Sequence, residues 1–207
     1  MKINKVEFTG KNYELALLKA EEEFNLSEEE MIIEVLDEGS KGILGVGSKE
    51  TKISVIPFSY ISAYAEEFVR ELLSHFDINE VTIDSSFSNN VVCVSIDCEN
   101  NGILIGKNGK TLNSIIHITS QTLRRQVGRY IKVSVDVGDY KEARVKQLER
   151  IAHSVSRSVA KTKVEAKLEP MNSYERRIIH EYLANDKFVT TTSEGEEPKR
   201  FVVIKLK

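Results

Sequence analysis

Gly106 and Gly109 bracket Lys107 and Asn108 between two stretches of helical spacing, and Lys110 and Thr111 follow at once. Ile103, Leu104 and Ile105 precede the turn; Leu112, Ile115, Ile116, Thr119 and Leu123 recur after it at the intervals of one helix face. A chain built this way must reverse between two helices within a few residues. Glycine's access to positive φ allows that, and a side chain at either end would resist it.

The same turn suggests a chemistry. Glycines let the backbone come within contact distance of a phosphodiester, and the amides opening the second helix add donors and a dipole that favours anions. Lys107 and Lys110 supply charge. Ile103 and Ile105 on one helix, with Leu112 and Ile115 on the next, are placed to floor an apolar groove for unstacked bases. A backbone clamp beside such a groove is how GxxG modules hold single-stranded nucleic acid. Standing alone, GxxG is as readily a tight helix–helix turn. The phosphate loop of nucleotide hydrolases also ends in Gly-Lys-Thr, but its first glycine would fall at position 104, which is Leu104, after a strand rather than a helix.

The surrounding pattern supports the clamp. Residues 61–76 form an amphipathic helix and residues 81–85 and 90–98 two strands around a polar turn at 86–90. After the GxxG segment come a helix closed by Gly128 and a strand through Ile131, Val133 and Val135. Upstream, residues 2–8, 31–37 and 51–57 read as strands, with a helix from Tyr13 to Phe24 capped by Asn12. Downstream, residues 140–159 form a long helix with a basic exposed side, then a short strand at 164–168. A helix capped by Asn172 or Ser173 runs to Leu183, and a hairpin pairs 188–192 with 201–206. The chain is therefore an α+β protein of three small domains, residues 1–58, 59–138 and 139–207.

A net charge of −3 looks unsuited to binding a polyanion, but its distribution is uneven. Residues 1–58 carry −5 and 59–99 carry −7, whereas 100–137 carry +5 and 138–207 carry +4. Phosphate responds to the local field, so nucleic acid belongs to the C-terminal half. The acidic half should bind something else, or nothing.

Arg176, Arg177 and His180 form a second candidate. Arg176 and His180, four apart, share one helix face where a guanidinium and an imidazole can grip a phosphate or stack on a base. Lys161, Lys163 and Lys167 extend a basic patch around them; without these lysines the pair would read as a solvated face. The third motif, residues 40–48, holds Gly42, Gly45 and Gly47. It reads as a flexible hairpin loop before an anion nest, with Ile43, Leu44 and Val46 offering a contact surface for a protein partner.

No nucleophile, carboxylate pair or metal-ligand spacing stands out, so neither an enzyme, a metal nor a cofactor is expected. Cys93 and Cys98 lie five apart in one strand and point to opposite faces, which suits a reducing cytoplasm. No apolar run is long enough for membrane insertion, and no signal-peptide pattern opens the sequence.

With its segments in this order the whole chain resembles the bacterial Jag family, also written KhpB or EloR. Ser40-Lys-Gly-Ile-Leu-Gly-Val-Gly47 is similar to the signature of the Jag N-terminal module. Ile105-Gly-Lys-Asn-Gly-Lys-Thr-Leu112 is similar to the loop of a type II KH domain, and Glu169 to His180 to the Arg-xxx-His motif of an R-three-H domain. The resemblance implies a cytoplasmic RNA-binding protein, an RNA chaperone or post-transcriptional regulator tied to cell elongation, peptidoglycan synthesis and division. It also implies a small single-KH protein as partner. It assigns RNA contact to Gly106, Lys107, Asn108, Gly109 and Lys110, and nucleic-acid contact to Arg176, Arg177 and His180. Some relatives carry a long charged linker with a kinase-targeted threonine; here residues 57–60 alone separate the first two domains. Neither loop contact distinguishes ribose from deoxyribose, so single-stranded DNA stays open, as does a protein-interaction adaptor working through the acidic N-terminal module.

Overall fold

Nearly continuous burial along Thr51–Pro57 (β3) marks it as the central strand of the first sheet. Val6–Gly10 (β1) and Met31–Asp37 (β2) flank it antiparallel, with Val6 opposite Val55 and Met31 opposite Pro57. The computed structural model describes residues 2–40, 48–76, 78 and 80–207, so most of the glycine motif at 40–48 lies outside the described residues. Helix α1, Tyr13–Phe24, begins where Asn12 Oδ1 accepts the amide of Leu15 at 3.0 Å and ends at Asn25, whose φ of 53° is left-handed. It buries Ala16 and Ala20 against Met31, Ile53 and Val55.

Pro57 ends β3, and helix α2, Phe58–Ser74, starts at once, earlier than its apolar spacing predicts. Val81–Ser88 (β4) and Val91–Cys98 (β5) pair antiparallel, and Lys132–Val137 (β6) joins β5 in parallel, giving the order β4–β5–β6. The polar segment expected as a turn at 86–90 is mostly strand. Asn89 and Asn90, with φ of 50° and 59°, make the reversal alone, as a two-residue hairpin of matching twist allows.

Parallel neighbours cannot be joined by a hairpin, so β5 and β6 need a crossover. Helix α3, Asn101–Ile105, and helix α4, Lys110–Val127, supply it, and the GxxG turn lies between them. Asn101 anchors the crossover's start: its Oδ1 accepts the Cys98 amide at 3.1 Å and its Nδ2 donates to Asp97 Oδ1 at 3.3 Å. Ile61, Ala65, Val69 and Leu73 of α2 and Leu123 of α4 cover one sheet face through Val92, Val94, Ile96 and Val135. Each of the Val, Leu and Ile side chains among them is worth about 1.5–3 kcal/mol of burial.

The strand expected from Lys2 begins only at Val6 because the preceding residues serve another contact. Ile3 is buried, its amide donates to Gln126 Oε1 at 3.4 Å, and Lys5 Nζ donates to the Val127 carbonyl at 3.2 Å. A cation there meets an otherwise unsatisfied carbonyl at the negative end of α4. The edge-on pair Phe24–Tyr60, 6.1 Å between centroids, also joins the first two domains. These lie together in one compact unit, Met1–Gly138; the second unit is Asp139–Lys207.

In that second unit helix α5, Tyr140–Thr162, precedes a two-residue strand, Ala166–Lys167 (β7), shorter than its sequence pattern suggests. Helix α6, Ser173–Leu183, leads to the hairpin of Val189–Glu194 (β8) and Phe201–Leu206 (β9), with sheet order β7–β9–β8. Leu148, Ala152 and Val159 meet Ile179, Leu183, Val189, Val202 and Ile204 in its core. The whole is α+β, as expected.

Candidate nucleic-acid interface

At Gly106 the backbone adopts φ 66° and ψ −179°, a region that only glycine occupies without strain. A Cβ there would stand 2.2 Å from Thr111 Oγ1 and 3.1 Å from the Thr111 amide. Asn108 and Gly109 follow in left-handed geometry, with φ of 54° and 72°. The Gly106 amide closes α3 on Gly102 O at 2.9 Å, and the Gly109 amide returns to Gly106 O at 3.3 Å. Three departures from ordinary helical geometry within four residues thus turn the chain directly into α4.

Helix α4 starts at Gly109, which has no side chain to cap the amides of its first turn. Lys107 and Lys110 are exposed on either side, and neither pairs with a carboxylate among the described residues. This concentrates positive charge and N–H donors where an anion would sit.

The four residues expected to floor a groove do not act together. Ile103 is 55% exposed and Ile105 half-buried, whereas Leu112 and Ile115, 4% and 2% exposed, are packed in the domain core. Helical spacing identifies an inward face but not what it packs against, and here that is protein. The apolar surface beside the turn therefore belongs to α3. Thr111, not singled out from the sequence, lies over Gly106 and explains that glycine.

The Arg-xxx-His pair is built differently. Asn172 Oδ1 accepts the Glu175 amide at 2.9 Å and Glu175 Oε2 accepts the Asn172 amide at 3.2 Å, a capping box that starts α6. Glu175 is buried and its Oε1 meets Arg144 Nε at 2.7 Å. Arg176, only 7% exposed, donates from Nη1 to Met171 O at 2.8 Å and pairs with Glu197 Oε1 at 2.9 Å. His180 lies with Nδ1 2.6 Å from Thr191 Oγ1 and Nε2 2.8 Å from Ser193 Oγ on β8. Burial, reinforced by the nearby Arg176 charge, holds the imidazole's pKa below its ordinary value of 6.5 and favours the neutral ring.

Arg176 and His180 do share one flank of α6, but that flank faces the β8–β9 hairpin rather than open solvent. Arg177 is exposed and bound along the helix to Glu181 at 2.6 Å. Lys161, Lys163 and Lys167 are exposed. Arg200, which no local pattern singles out, keeps a buried Nε with no hydrogen-bond partner, while its carbonyl accepts the Met171 amide at 3.1 Å. Only the folded hairpin brings it beside the segment that binds Arg176. For Glu175 the sequence did hold a signal: Asn172 followed by Glu at the third helical position.

Cys93 is exposed and Cys98 half-buried on opposite strand faces. Among the described residues no group of three or more His, Cys, Asp or Glu is placed to hold a metal ion, and no helix is long and apolar enough to cross a membrane.

Family models match in the same order as the domains: Jag N-terminus at residues 8–57, the KH domain of KhpA/KhpB at 62–137, and the R-three-H domain at 146–206. An RNA-binding protein KhpB from Clostridium symbiosum is 38% identical over 206 residues, covering 98% of this chain and 91% of the relative. The protein of the same name from Bacillus subtilis is 33% identical over 94% of this chain and 95% of its own length. A Lactiplantibacillus plantarum namesake is 38% identical over 60% of this chain but only 39% of its own longer sequence.

Proposed function

The chain belongs to the bacterial KhpB family, whose three domains it carries in order, and from that premise we propose that it is a cytoplasmic single-stranded RNA-binding protein. It acts as a binder rather than an enzyme, with boundaries at residues 1–58, 59–138 and 139–207. The observation that carries this reading is the turn from Gly106 to Gly109. At Gly106 its backbone is held in glycine-only geometry, it runs straight into the start of α4, and it carries Lys107 within it and Lys110 just after it, neither with a carboxylate partner among the described residues. Gly106, Lys107, Asn108, Gly109 and Lys110 hold the phosphate backbone, and Ile103 with Ile105 offers apolar surface to a base. In the C-terminal domain Arg176 and His180 shape the site from within, and Arg177 lies at its surface.

Replacing Lys107 and Asn108 together by Asp tests the reading. Aspartate tolerates the left-handed backbone at position 108, so the fold should persist. Affinity for a mixed-sequence single-stranded RNA, read by fluorescence anisotropy in moderate salt, should fall at least about tenfold, and binding by the unaltered protein should weaken steeply with salt. Unchanged affinity would remove the KH loop from the site. A deoxyribose oligonucleotide of the same sequence, run as competitor, decides between RNA and DNA.

The resemblance to this family extends the proposal to RNA chaperone or regulatory work in cell elongation and wall synthesis, and to a small single-KH protein partner. A compatible adaptor role is favoured by the acidic first domain, which exposes Leu15, Leu18, Val35 and Leu36. Mixing the full chain with a purified single-KH protein and following the elution volume would reveal that partnership.

A further inference from the structure

Helix α5 carries Lys146, Arg150, His153 and Arg157 at successive steps of four, three and four, which places them on one face. Lys146, Arg150 and His153, with Glu149 and Tyr182, line an open cleft of about 330 Å³ between α5 and α6. From Lys146 to Arg157 the stripe runs roughly 16 Å at 1.5 Å per residue. Tyr182 follows His180 by two positions, about 200° around a helix of 3.6 residues per turn, so it stands on the opposite flank of α6 from the Arg-xxx-His pair.

The stripe is available for a polyanion. Arg150 and Arg157 have no carboxylate partner among the described residues, and Arg157 is exposed. Lys146 meets Glu142 at 2.5 Å, but both side chains are well exposed, and such a pair along a helix adds little. Tyr182 is 44% exposed, leaving its ring open to a planar partner. Glu149 is the one carboxylate in the lining; it would repel phosphate but can accept from a base amino group.

We propose that the cleft between α5 and α6 is a second RNA site of the C-terminal domain, distinct from the Arg-xxx-His flank. The sugar-phosphate backbone of a single strand lies on Lys146, Arg150, His153 and Arg157, and one base stacks on Tyr182. Cations following a backbone beside an aromatic platform are the general requirement for holding a single strand without sequence preference. The proposal rests on the reading of the chain as a single-stranded RNA binder.

The test uses the full chain, a fluorescent mixed-sequence RNA and a salt series. The double variant Arg150→Gln/Arg157→Gln should weaken binding about tenfold and reduce the slope of log affinity against log salt by about 1.4, the share of two phosphates on a single strand. Tyr182→Leu, which keeps apolar volume, should weaken binding at least about fivefold with the slope unchanged. If both variants bind like the unaltered chain while Lys107→Asp/Asn108→Asp is impaired, the cleft is not an RNA site and the function stands. Failure of the unaltered chain to hold RNA even at low salt would remove the function, and the cleft with it.

Discussion

The GxxG turn and the Arg-xxx-His pair are assigned the same kind of ligand, yet they are built in opposite ways. At the turn the backbone is specialised and the charged side chains are idle: Gly106 holds a conformation closed to other residues, while Lys107 and Lys110 project without carboxylate partners among the described residues. At the pair the backbone is ordinary helix and the side chains are committed, Arg176 to Met171 and Glu197, His180 to Thr191 and Ser193. The first site can lose a side chain without losing its shape. The second cannot, because the side chains we propose for ligand contact are also its internal scaffold.

This contrast can be broken by measurement. The largest effect is expected from Glu175→Ala, which strips the largely covered Arg144 of its carboxylate partner and undoes the capping box at once. Uncompensated buried charge costs about 3–5 kcal/mol, so the urea midpoint of the C-terminal unit should drop sharply. Next, Arg176→Ala should remove about 1.5–3 kcal/mol of stability along with any RNA affinity, whereas Lys107→Ala should lower affinity and leave stability within about 0.5 kcal/mol. Were Arg176→Ala to abolish binding at full stability, the residue would be a plain contact and the contrast would fall.

Gly106→Ala probes the turn from the other direction. With Thr111 Oγ1 2.2 Å from the added carbon, it should cost about 1–3 kcal/mol and disable binding even though every charge is retained. A variant that binds normally would show that the lysines alone hold the strand. The smallest effect concerns pH. His180 has a folded pKa below 6.5, so the unfolded chain takes up its proton first as pH falls. The contribution of the neutral ring is complete above about pH 6.5, declines below it, and is exhausted once the folded ring also titrates. Comparing the unaltered chain with His180→Gln at about pH 5.5 and 7.5 isolates this change, expected under about 1 kcal/mol, from the carboxylates.

Much of this was legible in advance because hydrophobic period is a local property. Asn12, and the pair Asn172 and Ser173, announced where their helices start, the runs through Ile53 and Val94 read as strands, and the separated cysteines followed from strand alternation. What failed to show was partnership across the chain. Leu112 and Ile115 revealed an inward face without revealing that the domain's own core, not a base, would fill it. Arg176 and His180 revealed a common flank without the β8–β9 hairpin that closes on it. Arg200 is invisible to any local pattern, since only the folded hairpin gives its side chain a setting.

The docking of the first residues on α4 has a consequence in time. Ile3 is joined to Gln126, 123 positions further on, and Lys5 to Val127, 122 positions further on. At translation rates of about 5–20 residues per second, roughly 6–25 s pass between the synthesis of Ile3 and that of its partner. Throughout that interval Ile3 has no α4 to bury it and Lys5 no helix end to cap. The segment from Ile3 to Lys5 must therefore wait for α4, after the sheet beside it has already been made.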